Sequence, residues 1–254
     1  MRGERDGSSS PCRGLPPLHS VCLSGHVSAV LRGDMDVNTP DGNGATAMHL
    51  ACRQGHAAAL EAMLEVTGVD VNRTDPYGRT PLWEAAREGH LAAVELLLGV
   101  PGINVNLRTR EGGTPLQWAA RKGHAGVVRA LLAAPEVDVN LSDRGGSTPF
   151  YSACEKGRID VVRAMLAVPG IDIFRGNVHG EDPLCVARRK GHAAVVAALE
   201  ATYVRRIFAG ALRAMLLGGV SRTTAADLAI RGLGDARLQA KALEMCSAWQ
   251  ATST

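Results

Sequence analysis

Histidine and cysteine are the side chains here with the widest chemical reach, and eight histidines and six cysteines in 254 residues would suffice for a metal centre or a nucleophile with its base. Their spacing argues otherwise. His56, His90, His124 and His192 each follow a glycine and recur at multiples of 34 residues, so they sample one position of a repeated unit. Groups held one unit apart in equivalent surroundings do not converge on one ion, and these four are expected to belong to the framework. Cys12, His19, Cys22 and His26 offer four zinc-type donors, but their spacing fits no strong zinc pattern, and the last three fall on framework positions of the same unit. Gly42-Asn43-Gly44 and Gly232-Leu233-Gly234 follow no strand of a βαβ unit, so neither reads as a phosphate loop. There is no G-x-S-x-G and no kinase-type set. The expectation is a chain without catalysis, metal or cofactor.

Composition narrows the class. The chain is 46% hydrophobic and 21% charged with a net charge of +3, and only 4% of it is aromatic. That apolar content supports a well-buried core and excludes disorder throughout or a collagen-like chain. So few rings alongside many small apolar residues point to thin repeated layers rather than one large core. Residues 1–16 mix both charge signs with Ser, Gly and Pro and contain no apolar run, which predicts a disordered lead-in and no signal peptide. Ile207–Val220 is the most apolar later stretch; Arg213 interrupts it and it is too short for the ~20 residues of a membrane helix, so a soluble protein is expected. Cys12, Cys22, Cys52, Cys154, Cys185 and Cys246 lack short paired spacing, which favours reduced thiols in the cytoplasm or the nucleus. The sequons at Asn72-Arg73-Thr74 and Asn140-Leu141-Ser142 have no role without secretion.

The elements that must position these side chains are set by a strict period. Gly25, Gly55, Gly89, Gly123, Gly157 and Gly191 are separated by 30 and then four times by 34 residues. Thr-Pro recurs in phase at Thr80-Pro81, Thr114-Pro115 and Thr148-Pro149, with Thr46-Ala47 and Asp182-Pro183 in the same place. Asp-Val-Asn or a variant recurs at Asp36, Asp70, Asn104, Asp138 and Asp172. Thr caps a helix and Pro opens it, as over Pro81 to Glu88; Gly89 closes it in the left-handed conformation. Val94, Leu97 and Leu98 form the stripe of a second helix, repeated at Val128, Leu131 and Leu132, and Pro101, Pro135 and Pro169 stop it. Val69-Asp70-Val71, leading to Asp75-Pro76-Tyr77-Gly78, reads as a short extended arm and a tight turn. The unit is helix, turn, helix, hairpin loop.

The unit DPYGRTPLWEAAREGHLAAVELLLGVPGINVN, Asp75 to Asn106, resembles the ankyrin repeat with its D-x-x-G-x-T-P-L-H-x-A-A-x-x-G-H pattern. The resemblance covers residues 17–200 and implies an all-α solenoid with short β-hairpin loops, in repeats of approximately 17–40, 41–74, 75–108, 109–142, 143–176 and 177–200. The usual period is about 33, and the additional residue sits in the Val-Pro-Gly-Ile loop. The first repeat is about one helical turn short, which reads as a cap. Residues 201–254 are expected to hold an extended helix, from Ala193 through Leu217, and a degenerate capping repeat. That repeat would begin at the capping box Thr224 to Asp227. A separate helical module is the alternative.

The resemblance also implies where partners bind: the two residues before each Gly-His, and the hairpin tips. The first set reads Arg53-Gln54, Arg87-Glu88, Arg121-Lys122, Glu155-Lys156 and Arg189-Lys190, a net of +5 that leaves −2 for the rest. A stacked row of this kind favours an acidic partner. Trp118 stands where other repeats have Leu50, Glu84, Ser152 and Val186, and Tyr77 lies at a hairpin tip beside Arg79; Arg110, in the place of Pro76, stands at the next tip. Trp118 and Tyr77 are candidate anchors. Trp83 and Tyr151 take the position of the motif's histidine and are expected to pack between repeats. The expected function is a non-enzymatic protein-binding scaffold, a monomer without membrane attachment, that docks an acidic protein on its concave face. Nucleic-acid binding by the same basic ladder, and service as a substrate-receptor adaptor in a larger complex, are the alternatives. The resemblance further implies asparaginyl hydroxylation at Asn72, Asn106 and Asn140, with Phe174 removing the acceptor from the fifth repeat.

Overall fold

The computed structural model describes residues 36–218. Most of the first repeat, the Cys12/His19/Cys22/His26 group and the Thr224 capping box lie outside the described residues. Ten α-helices occur among those described: α1 (Ala47–Gln54), α2 (Ala57–Leu64), α3 (Pro81–Glu88), α4 (Leu91–Leu98), α5 (Pro115–Lys122), α6 (Ala125–Ala133), α7 (Pro149–Glu155), α8 (Ile159–Leu166), α9 (Pro183–Arg189) and α10 (Ala193–Gly218). The chain divides into two compact bodies, Met1–Pro183 and Leu184–Thr254.

In the first body each odd-numbered helix packs on the next odd-numbered one and on its own even-numbered partner. Close approach is possible because the shared surface is made of small residues: Ala51, Ala85, Ala86, Ala119, Ala120 and Ala153 are all fully buried. This is the physical reason the chain needs so few rings. The second-helix stripe is shifted by one residue from the expectation. Ala93, Val94 and Leu97 are buried while Leu98 and Leu132 are only half-buried, because the first helix and the two neighbouring second helices already surround the narrower face.

The Thr-Pro starts work as local chemistry requires. Thr80, Thr114 and Thr148 accept hydrogen bonds through Oγ1 from the N–H groups of Trp83 (3.1 Å), Gln117 (3.2 Å) and Tyr151 (3.1 Å). In the second repeat Thr46 is followed by His49, whose ring takes the part a Glu or Gln plays in a capping box. His49 Nε2 lies 2.9 Å from the Arg79 carbonyl and must donate to it, since a carbonyl only accepts. Nδ1 is therefore the acceptor, 3.2 Å from Thr46 N and 2.9 Å from Thr46 Oγ1. Burial holds the His49 pKa below its usual 6.5, and protonating Nδ1 would break the contact with Thr46 N–H, whereas the Thr46 hydroxyl can turn and accept from the new N–H. A depressed histidine pKa makes the unfolded chain the stronger proton binder, so stability is lost as pH falls below about 6.5. Chemical denaturation of wild type at about pH 7.5 and about pH 5 is expected to show that loss. His49→Gln, which installs the residue that the fourth repeat uses in the same slot, is expected to show less of it; an equal loss in both proteins would sink this account of the ring.

Helix ends are tied across repeats. Gly55, Gly89 and Gly123 adopt φ of +76°, +87° and +94°, and each is covered by a side chain from the next repeat. His90 and His124 donate through Nε2 to the carbonyls of Arg53 and Arg87, both at 3.0 Å. The fifth repeat has Arg158 in this place, which donates through Nε to the Arg121 carbonyl at 3.2 Å. His90 and His124 are thus structural ties.

The loops are fingers rather than strand pairs: no strand occurs among the described residues, and the one isolated bridge joins Pro40 and Thr46. Each closes in a single turn. Asp75 N–H donates to the Arg79 carbonyl and the Asp75 carbonyl accepts from Gly78 N–H, both 2.9 Å, while its Oδ1 accepts from Tyr77 and Arg79 N–H at 2.9 Å. Buried Asp75 is penalised for its charge, but the Arg79 guanidinium and these N–H groups outweigh that and hold its pKa below 3.8. With the pairing completed inside one turn, no ladder remains for a strand. Successive fingers are linked tip to tip, since Arg110 N–H donates to the Tyr77 carbonyl (2.8 Å), Arg144 to Glu111 (3.0 Å) and Val178 to Gly145 (2.9 Å).

Below the fingers runs a ladder of asparagines. Asn38, Asn72, Asn106 and Asn140 each donate through Nδ2 to a carbonyl of the following repeat, at Gly68, Gly102, Glu136 and Gly170, over 2.7–2.9 Å. Each also accepts through Oδ1 from the N–H of Asp70, Asn104, Asp138 or Asp172, at 2.8–2.9 Å.

In the second body the helix expected from Ala193 to Leu217 spans Ala193–Gly218. Val186, Ala187, Val195, Leu199 and Tyr203 are buried there, and Arg188 Nη2 meets Glu200 Oε1 at 2.9 Å.

Candidate functional site

The residues that could meet a partner stand on the odd-numbered helices and the fingers of the third and fourth repeats. Trp83 on α3 and Trp118 on α5 touch edge to face, with centroids 5.3 Å apart and ring planes at 66°. Guanidinium groups cover their faces: Arg87 lies 5.6 Å from the Trp83 centroid and 5.9 Å from that of Trp118, and Arg121 lies 5.2 Å from Trp118. Arg79 sits 4.9 Å from the Tyr77 ring and 5.7 Å from Trp83. Cation–π contacts of this geometry contribute about 0.5–1 kcal/mol each at exposed sites. Between the rings lies an open pocket of about 320 Å³. Of the expected residues, the structure brings Tyr77, Arg79, Arg87, Arg110 and Trp118 together around it, with Arg121 on the far side of Trp118.

A carboxylate that no motif in the sequence marks organises the arginines. Glu84 is fully buried and forms a two-point pair with Arg53, Nη2 to Oε1 at 2.8 Å and Nε to Oε2 at 3.2 Å. Arg79 Nη1 lies 3.5 Å from Oε1 and Arg87 Nη1 4.0 Å from Oε2. Arg79 also pairs with Asp75 at 2.5 Å and Arg87 with Glu88 at 2.6 Å, and Lys156 lies 3.4 Å from Glu155. The ladder is therefore not uniformly basic. Among the described residues, Arg110, Arg121, Lys122 and Arg144 are exposed cations whose side chains meet no acid or hydrogen-bond acceptor, all within the fourth and fifth repeats. Arg189 and Lys190 are exposed in the second body, and Lys156 does not line the pocket.

Trp83 serves two ends. It is buried, as expected for inter-repeat packing, yet it also forms a wall of the pocket. Its slot elsewhere reaches toward the next finger: His49 to the Arg79 carbonyl at 2.9 Å, and Gln117 to the Ser147 carbonyl at 2.9 Å and Asp143 Oδ2 at 2.7 Å. Tyr151 donates to Glu181 Oε2 at 3.0 Å. Trp83 Nε1 is buried and has no such partner among the described residues.

Asn72, Asn106 and Asn140 are rungs of the ladder, so both ends of each carboxamide are engaged. Phe174, 49% exposed, stands in the corresponding place of the fifth repeat. No group of three or more His, Cys, Asp or Glu able to hold a metal occurs among the described residues, and none of their helices is long and apolar enough to cross a membrane. Cys52 and Cys154 are buried and Cys185 exposed, none in a disulfide; burial raises the Cys154 pKa well above the thiol range.

A family model described as ankyrin repeats in three copies matches residues 18–109, 58–143 and 101–177. The crystal structure of an ankyrin repeat domain from Acinetobacter baumannii AYE is similar, with 28% sequence identity and a TM-score of 0.65, over 73% of this chain and 97% of that one. No curated protein matches the chain.

Proposed function

The chain belongs to the ankyrin-repeat family, whose members are in general non-enzymatic protein–protein interaction modules, and from that premise we propose that it binds an acidic protein through the Trp and Arg face of its third and fourth repeats. The observation that carries this reading is the convergence of Tyr77, Trp83 and Trp118 with arginines on one pocket, beside which Arg110 and Arg121 have no acidic counterpart. Tryptophan and arginine are the residues most often found to dominate binding energy, and uncompensated cations beside them speed the encounter with an acidic surface. Support for acidity comes from these free cations rather than from the whole ladder, because Arg53, Arg79 and Arg87 are already paired. Hydroxylation of Asn72, Asn106 or Asn140 is part of the proposal only by family likeness, and would modify the rungs, not this face.

The test is affinity capture with the full chain, compared with Arg110→Glu/Arg121→Glu by quantitative mass spectrometry. Both residues are exposed and meet no acid, and the double variant gives up only the contact of Arg121 with the Trp118 ring, so it is expected to keep its stability within about 1 kcal/mol. Proteins held by wild type are expected to fall at least tenfold in the variant, and the proteins lost are expected to be acidic. An unchanged set with an unchanged melting curve would place binding elsewhere.

A further inference from the structure

We infer, on the basis of that reading of the face, that the pocket takes one large apolar or aromatic side chain from an extended partner segment, and that carboxylates flanking this anchor pair with Arg110, Arg121 and Arg144. The volume sets the first part. At about 320 Å³ the pocket lies at the low end of the roughly 300–1,000 Å³ range of ligand sites, the size of an anchoring side chain. Its lining includes the rings of Tyr77, Trp83 and Trp118, with Arg79, Arg87 and Arg110 beside them, so an apolar group set against the rings gains by leaving water.

The occupied ring faces decide between a peptide and a nucleic acid. Single-stranded nucleic acids use aromatic faces as stacking platforms for bases. Here guanidinium groups already lie over Tyr77, Trp83 and Trp118 within 4.9–5.9 Å. A guanidinium held over a ring still has N–H groups with which to meet a carboxylate, at two points where the fork allows. Glu84, Glu88 and Glu111 lie close by and oppose a dense run of phosphates. A few carboxylates beside an apolar anchor fit this mixture better.

Finger linkage gives the direction. Arg110 N–H is bonded to the Tyr77 carbonyl and Arg144 N–H to the Glu111 carbonyl, so these two free cations stand on successive tips, with the pocket beside the first, while Arg121 stands on α5. A segment that reaches both must cross more than one repeat, which an extended chain does with fewest residues. Trp83 adds a polar contact: its buried Nε1 has no acceptor among the described residues, and a backbone carbonyl beside the anchor would supply one.

The experiment is selection of phage-displayed random twelve-residue peptides on the full chain, followed by synthesis of the enriched sequence with a fluorescent label. The expected consensus holds an aromatic or large aliphatic residue with Asp or Glu within about two positions on either side. Its affinity, read by polarisation, is expected to fall at least tenfold with Trp118→Ala and with Arg110→Glu/Arg121→Glu, and at least threefold with Arg144→Glu. Alanine at the anchor should cost a similar factor, and a ten-nucleotide oligothymidine should not compete. A basic or uncharged consensus, no enrichment, binding that survives these changes, or competition by the oligonucleotide overturns the inference. Melting curves separate lost binding from lost fold, and Arg144→Glu leaves the tryptophan packing untouched. If peptide selection fails while affinity capture still loses proteins on charge reversal, the anchor inference is wrong and the binding face stands.

Discussion

Replacing Glu84 with alanine is expected to lower unfolding free energy by about 3 kcal/mol, among the largest effects of any charged-residue change in the stack. Glu84 is fully buried and holds Arg53 from the preceding repeat and Arg79 from the preceding finger, with Arg87 one turn along its own helix. Its removal leaves three cations gathered around an apolar gap. Breaking a buried pair costs about 3–5 kcal/mol, and the low end applies because these arginines are 26–34% exposed and can turn toward water. Glu88→Ala, one turn on and paired at the surface with the same Arg87, is expected to cost under about 1 kcal/mol. Urea denaturation of the two variants checks the contrast, and equal losses would mean that Glu84 is not the organising charge.

A comparable loss, about 3 kcal/mol, is expected for Gly89→Ala, by a different route. The left-handed conformation costs a residue with a Cβ about 1–2 kcal/mol, and here the new Cβ would stand 2.6 Å from Nδ1 of His124. That ring must move, and with it goes the hydrogen bond to the Arg87 carbonyl, worth about 1 kcal/mol. Two neighbouring glycines separate the contributions. Gly102→Ala has a φ of +80° but nothing within 4 Å, so it carries the backbone cost alone, about 1 kcal/mol. Gly99 has αR backbone and its nearest neighbour would be a carbonyl at 3.4 Å, so alanine there is expected to be close to neutral. Denaturant midpoints should rank Gly99→Ala, Gly102→Ala and Gly89→Ala in that order. Equal costs at Gly102 and Gly89 would show that His124 yields freely.

Thr80, Gly89 and Pro101 show what the sequence discloses. Each acts through its own backbone or that of the next few residues, so a period of 34 in such signals is enough to lay out helices, turns and stacking order. The free and bound arginines show the reverse. Arg53 and Arg121 occupy the same place in their repeats, yet Arg53 is bound by an acid 31 residues away and Arg121 is not. That depends on which side chain the next repeat carries at the same level, which the formal charge of the ladder hides. Trp83 was legible as packing and not as a pocket wall, because the wall exists only when Trp118 stands at the adjacent slot. The expected hairpin loops close without a strand among the described residues, since an Asp side chain that accepts two N–H groups within its own turn, as at Asp75, completes the pairing there.

The asparagine ladder bears on how the first body comes apart. Each carboxamide binds a neighbour's donor and a neighbour's acceptor, so an interior repeat that opens surrenders rungs on both sides, whereas a terminal one surrenders them on one. Such an array has nearest-neighbour cooperativity: opening in the middle is penalised twice, and melting is expected to travel inward from an end. The third and fourth repeats, which carry the tryptophans, lie between the rungs of Asn38 and Asn140. They would therefore be among the last parts of the body to exchange their amide protons with solvent, and a partner would meet this surface already rigid.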